Sequence, residues 1–276
     1  MDRIWLITGA NSGFGRAITE AAAAAGDTVV ATARTISALE DLTAAHPGQV
    51  EALSLDVTRP AAVAAVVTDV ASRYGRIDVL VNNAGRSHVG ALEETSDAEL
   101  RALFEVQVFG PAALVRAVLP HMRARGSGTI VQMSSMGGQM SFAGFSAYSG
   151  TKFALEGMSE ALADEVRPLG IRVLIVEPGA FRTSLWASSS TSAPIAAYDE
   201  TVGPARQMIK AQDGSQAGDP AKAAAAILAA VGSDDPPLRL PLGEDAVEAI
   251  TSHLDAVRAD ITAWEPVARE TRRAES

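Results

Sequence analysis

The sequence contains no cysteine, and its few histidines are dispersed. A chain without cysteine forms no disulfides and has no thiol sites, so nothing in its composition points to secretion. The four histidines, His46, His88, His121 and His253, form no cluster with ligand-like spacing, and we therefore expect no metal site. These absences exclude a disulfide scaffold and argue against a metalloprotein.

Positive charge and long apolar runs are also scarce. The formal net charge is −10, which argues against a nucleic-acid partner because phosphates require a basic face. We find no uninterrupted apolar run long enough to cross a membrane, and we expect no membrane partner. The first apolar strand begins near residue 3, so we expect no signal peptide and a cytoplasmic location.

Strand and helix patterns alternate along the 276 residues, of which 47% are hydrophobic. This alternation is typical of an α/β protein with a Rossmann-type, doubly wound parallel sheet of about seven strands and helices on both faces. The length suits one domain, 1–276. We predict strands near 3–8, 28–33, 50–55, 77–81, 128–134, 171–176 and 237–241. We predict helices near 14–25, 36–45, 60–74, 97–125, 146–167, 220–231 and 244–265.

Tyr148 and Lys152 stand four residues apart, which is one turn of a helix, and Ser135 precedes the tyrosine by thirteen residues. A phenol has a free pKa of about 10, and a nearby fixed cation stabilises its ionised form and lowers that pKa. The pair is therefore a candidate proton donor and acceptor near neutral pH. The spacing alone is not decisive, because surface tyrosines and lysines often fall four apart on helices.

A glycine-rich turn follows the first predicted strand. The strand leads into Thr8-Gly9-Ala10-Asn11-Ser12-Gly13-Phe14-Gly15, and an alanine-rich helix then runs to about Gly26. A strand, a glycine turn and a helix N-terminus together form a cradle for the pyrophosphate of a dinucleotide. The alternative is that the glycines serve only tight packing of strand against helix. The tyrosine–lysine pair farther along the chain favours the cofactor interpretation.

Together these segments resemble the short-chain dehydrogenase/reductase family in its compact single-domain form. The spacing Thr-Gly-x-x-x-Gly-x-Gly is typical of that family's cofactor loop. Further motifs follow in the family's order: Leu55-Asp56-Val57, Val81-Asn82-Asn83-Ala84-Gly85, and Pro178-Gly179 with Thr183 shortly after. The resemblance covers about residues 3–184 closely and the remainder loosely. It implies an oxidoreductase that interconverts a ketone or aldehyde and an alcohol.

The resemblance also implies roles for individual residues. Tyr148 would act as general acid and base, Lys152 would lower its pKa and hold the nicotinamide ribose, and Ser135 would bond the substrate carbonyl. Asp56 would contact the adenine, Asn83 the ribose region and Thr183 the nicotinamide carboxamide, although each also fits a structural cap or turn. The implied cofactor-binding set is Thr8, Gly9, Asn11, Ser12, Gly13, Phe14, Gly15, Arg34, Asp56, Val57, Asn83, Ala84, Gly85, Tyr148, Lys152, Pro178, Gly179 and Thr183.

We predict that the cofactor is NADP(H), with NAD(H) possible. An NAD site of this type has a carboxylate at the end of the second strand, where it bonds the ribose 2′-hydroxyl. Here Ala33 occupies that place and Arg34 follows it. An arginine binds a 2′-phosphate bidentately, whereas a carboxylate would repel it. Against this, Ser12 stands where some NADP-dependent relatives carry a basic residue, and Arg34 also fits a solvated strand end.

The chain departs from the family's pattern at one catalytic position. The family's asparagine is replaced by Gln107, in Val106-Gln107-Val108-Phe109-Gly110. The next residue, Pro111, has no N–H to donate to the carbonyl of Gln107 four residues earlier. In the family that this chain resembles, the backbone carbonyl at this place is thought to hold a relay water, so we interpret Gln107 as a member of the proton relay through its main-chain carbonyl. The alternative is that Gly110-Pro111 only kinks the helix for packing.

Residues 184–219 are rich in Ser, Thr, Ala, Gly and Pro and follow the strand 171–176. Because long irregular segments in compact folds are usually lids or disordered, we interpret this one as a substrate lid rather than a passive excursion. His88 lies near the expected substrate mouth and either contacts substrate or is an exposed loop residue. Four aromatic residues suggest a moderately apolar substrate unless they belong to the core: Phe142, Phe145, Phe181 and Trp186.

Two functional classes remain open. The first is a carbonyl reductase or alcohol dehydrogenase that acts on a small-molecule carbonyl or alcohol substrate. The second is a non-catalytic cofactor-binding redox sensor on the same fold, which only Gln107 supports. A nucleotide-sugar epimerase or dehydratase is a rival within the first class, although we expect too little sequence after residue 184 for its larger substrate domain. The resemblance also implies a homodimer or homotetramer formed through the helices 97–125 and 146–167.

Overall fold

The main sheet has seven strands, each parallel to its neighbours, in the order β3-β2-β1-β4-β6-β7-β9. The computed structural model describes residues 2–212 and 214–273, without the side chain of Gln212. The strands are β1 Ile4–Thr8, β2 Thr28–Ala33, β3 Val50–Ser54, β4 Val79–Asn82, β5 His88–Val89, β6 Gly128–Met133, β7 Ile171–Pro178, β8 Ser190–Thr191 and β9 Arg239–Leu242. Strands β5 and β8 form a separate parallel pair.

Helices connect the strands and cover both faces of the sheet. They are α1 Gly13–Ala24, α2 Glu40–Ala45, α3 Pro60–Tyr74, α4 Asp97–Phe104, α5 Gly110–Arg125, α6 Ser146–Val166, α7 Gly203–Gln212, α8 Pro220–Gly232 and α9 Glu244–Arg269. Short 3₁₀ turns lie at Ile36–Leu39, Met136–Gly138, Arg167–Leu169 and Ala196–Tyr198, and a π-helical turn at Glu105–Phe109 joins α4 to α5. A capping box at Ser96 and Glu99 fixes the start of α4.

The predicted Rossmann-type α/β fold is confirmed, with corrections to individual elements. The predicted helix 97–125 changes hydrogen-bond pattern at its π turn, just before Pro111, which lacks the N–H that a regular helix requires. The predicted irregular segment 184–219 contains β8 and α7, and α9 runs to Arg269 rather than residue 265. Residues 1, 213 and 274–276 of the predicted domain lie outside the described residues, and 213 falls within the predicted lid.

The sheet is buried on both faces because alternate residues of its strands enter different cores. Trp5 and Ile7 of β1 pack with side chains of α1 and α8. Ile4 and Leu6 pack on the other face with side chains of α3 and α5. Burying one such large apolar side chain contributes about 1.5–3 kcal/mol to the stability of the fold. Because many such side chains fill the two cores, the ends of the strands are held in place.

The order of the strands places a crevice at one edge of the sheet. The chain leaves β1 toward β2 on one side and later returns to β4 on the other side of β1. In open α/β sheets, ligands bind beyond the carboxyl ends of the strands at such a switch point. Thr8 ends β1 and Asn82 ends β4, so the motifs that follow them meet at this crevice.

One helical segment of the described chain, Asp97–Arg125, is long and apolar enough to cross a membrane by length and composition alone. This finding differs from the expectation that no such segment exists. Half of its most apolar stretch is buried inside the protein.

Candidate active site

The glycine-rich loop between β1 and α1 is held in place by the segment after β4. The side-chain amide of Asn83 donates to the carbonyl oxygens of Thr8 (2.9 Å) and Gly9 (3.1 Å). The Thr8 hydroxyl accepts the N–H groups of Asn83 and Ala84, both at 3.0 Å. A Cβ atom at Gly15 would lie less than 3.0 Å from the Asn83 amide and the Gly9 carbonyl, so only glycine fits.

The start of α1 faces an open cleft. Gly9 and Gly13 adopt left-handed backbone conformations, with φ of 65° and 53°, that favour glycine. Within the described chain, the Ser12 side chain caps none of the first N–H groups of α1, so these groups remain available to an anion. The cleft of about 500 Å³ is lined by Asn11, Ser12, Gly13 and Thr183, among others. These features fit the pyrophosphate of a dinucleotide.

The segment after β7 closes against the same loop. A Cβ at Gly13 would lie 3.2 Å from the Cβ of Thr183, and the rings of Phe14 and Phe181 are 5.1 Å apart. Pro178 ends β7, and a Cβ at Gly179 would collide with the carboxylate of Asp245. The predicted cofactor residues of the first and the last motif therefore face each other across the cleft.

Two arginines lie near Asp56 at the ends of β2 and β3. Ala33 is buried and Arg34 is exposed, as the cofactor prediction requires. Asp56 accepts the hydroxyl (2.7 Å) and N–H (3.0 Å) of Thr58, and these bonds lower its pKa, as do the charges of Arg34 and Arg59. Arg59 lies at the start of α3, three residues after Asp56, and is not among the predicted cofactor residues.

Ser135, Tyr148 and Lys152 meet between the end of β6 and the start of α6. The Lys152 ammonium lies 5.7 Å from the centre of the Tyr148 ring and donates to the carbonyl of Met133 at 2.9 Å. The Ser135 hydroxyl accepts the N–H of Gly137 at 3.1 Å. Tyr148 and Lys152 are only 9% and 6% exposed. The trio chosen from the sequence is thus assembled in one partly desolvated place.

Burial dominates the acid–base properties of the trio. It raises the pKa of Tyr148, and the hydrogen bond with Ser135 opposes the rise. Burial also lowers the pKa of Lys152 to about 8, against the attraction of Glu156. The net shift of the Tyr148 pKa is therefore upward and not the expected lowering, because desolvation disfavours the charged form of the phenol.

Gln107 lies in the π turn, buried beside α6. Its amide nitrogen donates to the Thr151 hydroxyl at 3.1 Å, and that hydroxyl donates to the carbonyl of Tyr148 at 2.7 Å. Its amide oxygen has no hydrogen-bond partner among the described residues, and a Cβ at Gly85 would approach it to 3.2 Å. Gln107 therefore braces the backbone of the helix that carries Tyr148. Val57 contacts the start of α5, where a Cβ at Gly110 would lie 3.0 Å from its side chain.

The predicted lid is tied to the body beside this site. His88 is 1% exposed, and its ring nitrogens lie 2.8 Å and 2.9 Å from the hydroxyls of Ser190 and Ser192. The alternative of an exposed loop histidine is thus wrong, because His88 is buried in β5, which pairs with β8. Farther along, Arg206 of α7 pairs with the buried carboxylate of Glu94.

Apolar residues of the predicted lid share one cluster with the tyrosine. The cluster contains Val89, Ala91, Phe145, Tyr148, Val202 and Ile209, with Trp186, Tyr198, Ala205 and Met208 packed against it. Phe142 is 41% exposed and stands edge-on to Phe145, with 5.2 Å between the ring centres. Of the four aromatic residues considered above, Phe145 and Trp186 lie in this cluster, and Phe181 packs instead on Phe14.

Comparisons with known proteins agree with this arrangement. A family model described as short chain dehydrogenase matches residues 3–193. The chain belongs to the short-chain dehydrogenase family. The oxidoreductase BOA17 of Botryotinia fuckeliana is 39% identical over 96% of this chain and 97% of its own length. The 3-ketodihydrosphingosine reductase of Bacteroides thetaiotaomicron is 36% identical over 87% of this chain and 88% of its own.

A solved short-chain dehydrogenase from Streptomyces avermitilis is 61% identical, with a TM-score of 0.95 over 99% of this chain and 100% of its own. A solved metagenomic short-chain oxidoreductase is in complex with NADP, and a solved short-chain dehydrogenase/reductase from Burkholderia phymatum is in complex with NAD. As a short-chain dehydrogenase, the protein is an oxidoreductase with a nicotinamide-binding Rossmann fold, and the redox-sensor alternative is not favoured.

The predictions from the sequence did not include a buried pair of carboxyl groups, which the structure of this dehydrogenase places near Lys152 of the trio. Glu156 and Glu177 are 4% and 0% exposed, and Nε of Arg239 lies 3.3 Å and 3.4 Å from them. Burial raises the pKa of both acids, that of Glu177 to about 7. The spacing of Tyr148, Lys152 and Glu156, four residues each, is the only signal in the sequence for this cluster.

Proposed function

We propose that this short-chain dehydrogenase reduces a ketone or aldehyde on a moderately apolar substrate, with NADPH as cofactor and Tyr148 as general acid. The observation that carries the proposal is the position of Tyr148. Its ring belongs to an apolar cluster with the lid, and its hydroxyl bonds with Ser135 beside Lys152. A buried phenol thus lies among apolar side chains, beside the Ser135 hydroxyl and the Lys152 ammonium.

The charges of these residues support proton donation. NADPH, when bound, supplies the hydride, and negative charge then develops on the substrate oxygen. Because burial raises the pKa of Tyr148, the phenol holds its proton at neutral pH and can donate it to that oxygen. Ser135 would donate a hydrogen bond to the same oxygen. Lys152, with a pKa of about 8, is mostly charged at neutral pH and stabilises the phenolate that remains.

The preference for NADP rests on Arg34, with Arg59 as a second cation. Arg34 follows β2 and Arg59 precedes α3, and the charges of both lower the pKa of Asp56 at this edge of the sheet. A 2′-phosphate would accept charge-assisted hydrogen bonds from Arg34, worth about 1.5–3 kcal/mol. Arg34→Ala should therefore raise KM for NADPH about tenfold or more and leave KM for NADH unchanged. The exposed Arg101→Ala is the matched control.

The substrate class follows from the lid. Residues 184–219 contribute Trp186, Val202 and Ile209 to the cluster around Tyr148, so a substrate held there meets mainly carbon. We assign this segment the role of substrate lid. The relative named 3-ketodihydrosphingosine reductase agrees with a ketone as the reducible group.

The proton relay is proposed to pass through the main chain of Gln107. Pro111 leaves the Gln107 carbonyl without its regular helical donor, and the side chain of Gln107 is engaged with Thr151. Pro111→Ala should slow turnover more than Gln107→Asn does. The opposite ranking would show that the side chain, not the carbonyl, is the essential part.

The direct test is NADPH oxidation against a panel of ketones and aldehydes of increasing apolar length. Tyr148→Phe should lower kcat by about 10²–10⁴-fold while NADPH still binds. Tyr74→Phe, which removes a phenol bonded to Glu51 away from the site, should keep full activity. Equal activity of Tyr148→Phe and wild type would refute the role of Tyr148. NADPH binding without turnover on any substrate would support the redox-sensor alternative.

A further inference from the structure

The C-terminal helix α9 leaves the body of the protein after its first two turns. Ala246 and Ile250 are buried, and the start of α9 contacts β9 and the turn after β6. Asp245 accepts the N–H of Ala180 at 2.7 Å, which fixes the helix to the segment after β7. Beyond Ile250, residues 251–269 are exposed apart from a half-exposed His253. We call residues 251–269 the arm; as a helix it is about 28 Å long.

One face of α9 is apolar with the spacing of a coiled-coil seam. Its large apolar residues alternate three and four positions apart: Val247, Ile250, Leu254, Val257, Ile261 and Trp264. In the arm, Ile261 and Trp264 are 65% and 67% exposed, and Leu254 and Val257 are 47% and 40% exposed. An isolated helix of this length is marginal in water, and a continuous exposed apolar stripe marks an interaction surface.

The charges of α9 argue against a membrane as the partner. Helices that lie on membranes carry lysine and arginine on their polar face. The acidic residues of α9 outnumber its basic ones, and the whole chain has a net charge of −10. The acidic residues are Glu244, Asp245, Glu248, Asp255, Asp260 and Glu265, against Arg258 and Arg269. Anionic lipid would repel this helix, so the stripe fits a protein surface.

We propose that the arm pairs with the arm of a second copy of this chain as an antiparallel two-helix coiled coil. The proposed axis passes between Ile261 and Trp264, the most exposed large apolar side chains of the described chain. Each Ile261 then packs on Trp264 of the second copy, and each Val257 packs near Ala268 of the second copy. The two-fold symmetry makes one stripe complementary to itself.

The residues that flank the stripe select this orientation. In a parallel pair, Asp260 would lie beside Glu265 of the second copy, so like charges would meet. In the antiparallel pair, Arg258 lies opposite Glu265 of the second copy, and symmetry repeats the contact. Asp260 then faces an uncharged residue. An antiparallel pair shifted by one turn toward the body would bring each Arg258 against its symmetry mate.

The pairing is separate from the dimer interface expected at helices 97–125 and 146–167, and it does not depend on the proposed reaction. Sedimentation equilibrium of the full chain over a range of concentrations tests it. Ile261→Glu should halve the mass of the assembly, because it places two like charges at the axis. Ala259→Glu, which adds the same charge on the face opposite the stripe, should leave the mass unchanged. Ile261 is exposed, so its replacement leaves the core intact.

A charge swap tests the orientation. Arg258→Glu and Glu265→Arg should each raise the dissociation constant of the pair about 5–30-fold, since each creates two like-charge contacts between the copies. The double variant should recover most of the affinity. A wild type that is monomeric throughout, or an assembly whose mass Ile261→Glu does not change, would overturn the pairing. If the double variant loses as much binding free energy as the two single variants together, the antiparallel orientation is overturned.

Discussion

The two halves of the candidate site are built in different ways. The cofactor half is a backbone structure, in which glycines, Thr8 and Asn83 shape a loop through hydrogen bonds between main-chain and short side-chain groups. The catalytic half is a cluster of buried ionisable side chains, namely Tyr148, Lys152, Glu156 and Glu177. The cofactor half depends on the close packing of the loop, and the catalytic half depends on the low polarity around its ionisable groups. Substitutions should therefore damage the two halves in different ways.

After Tyr148→Phe, the largest expected effect is on the cofactor half, from Gly15→Ala. The added methyl group would collide with the Asn83 amide and the Gly9 carbonyl, so the loop must move. Overpacking of this kind costs about 1–3 kcal/mol of stability. We expect NADPH affinity, measured by fluorescence titration, to fall at least about tenfold, since the displaced N–H groups no longer converge on the pyrophosphate.

Gly157→Ala on α6 is the matched control for this change. A Cβ at Gly157 meets no atom within 4 Å, so alanine should leave NADPH affinity unchanged and raise helix stability by about 0.5–1 kcal/mol. If both variants bind NADPH as wild type does, the close packing of the loop is not what shapes the cofactor half.

A smaller effect, and one that depends on pH, is expected in the catalytic half from Glu177→Gln. Burial raises the pKa of Glu177 from its ordinary value of 4.5 to about 7. Between these values the folded state keeps a proton that the unfolded state releases, so the free energy of unfolding falls as pH rises from about 4.5 to 7. Glutamine does not titrate. The stability of Glu177→Gln relative to wild type should therefore improve by about 1–3 kcal/mol between pH 4.5 and 7.5.

Urea unfolding at several pH values measures this difference. Glu160→Gln is the control, because Glu160 binds the same Arg239 at 2.9 Å from an exposed position. Its effect should stay within about 0.5 kcal/mol at every pH. Parallel stability curves for wild type and Glu177→Gln would show that the buried acid pair does not hold an extra proton.

The two halves also differ in how far the sequence reveals them. The core of the cofactor half is local, since strand, glycine turn and helix follow one another within residues 4–24, and the structure brings Asn83 and Thr183 against this loop. Tyr148 and Lys152 are recognisable by helical spacing. The directions of their pKa shifts cannot be predicted from the sequence, because the burial of both side chains depends on residues of β6, β7 and the proposed lid. The expected lowering of the Tyr148 pKa was wrong for this reason.

Arg239 is missed by the sequence predictions because its partners lie far along the chain, and it approaches Glu156 and Glu177 only because β9 pairs with β7. The short strands β5 and β8 escape prediction because two residues carry no readable alternation. His88 consequently resembled a loop residue.

The smallest expected effect tests whether the catalytic half extends into the lid through His88. Burial lowers the pKa of His88, while the charges of Glu99 and Arg86 act in opposite directions on it. The folded lid therefore holds a neutral imidazole between Ser190 and Ser192. This contribution to stability is complete above about pH 6.5 and is lost as pH falls toward the lower folded-state pKa. Hydrogen exchange at residues 184–195 should be faster at pH 5.5 than at pH 7.5, after correction for intrinsic rates.

His88→Asn should remove this pH dependence and leave exchange uniformly faster by a few fold. His121→Gln, at an exposed position on α5, should retain the wild-type response. Faster exchange of the lid at low pH in His88→Asn as well would assign the response to another group. If exchange of the proposed lid changes with pH only in chains that keep His88, the catalytic half extends into that segment. A buried, neutral side chain then holds the segment against the cluster around Tyr148.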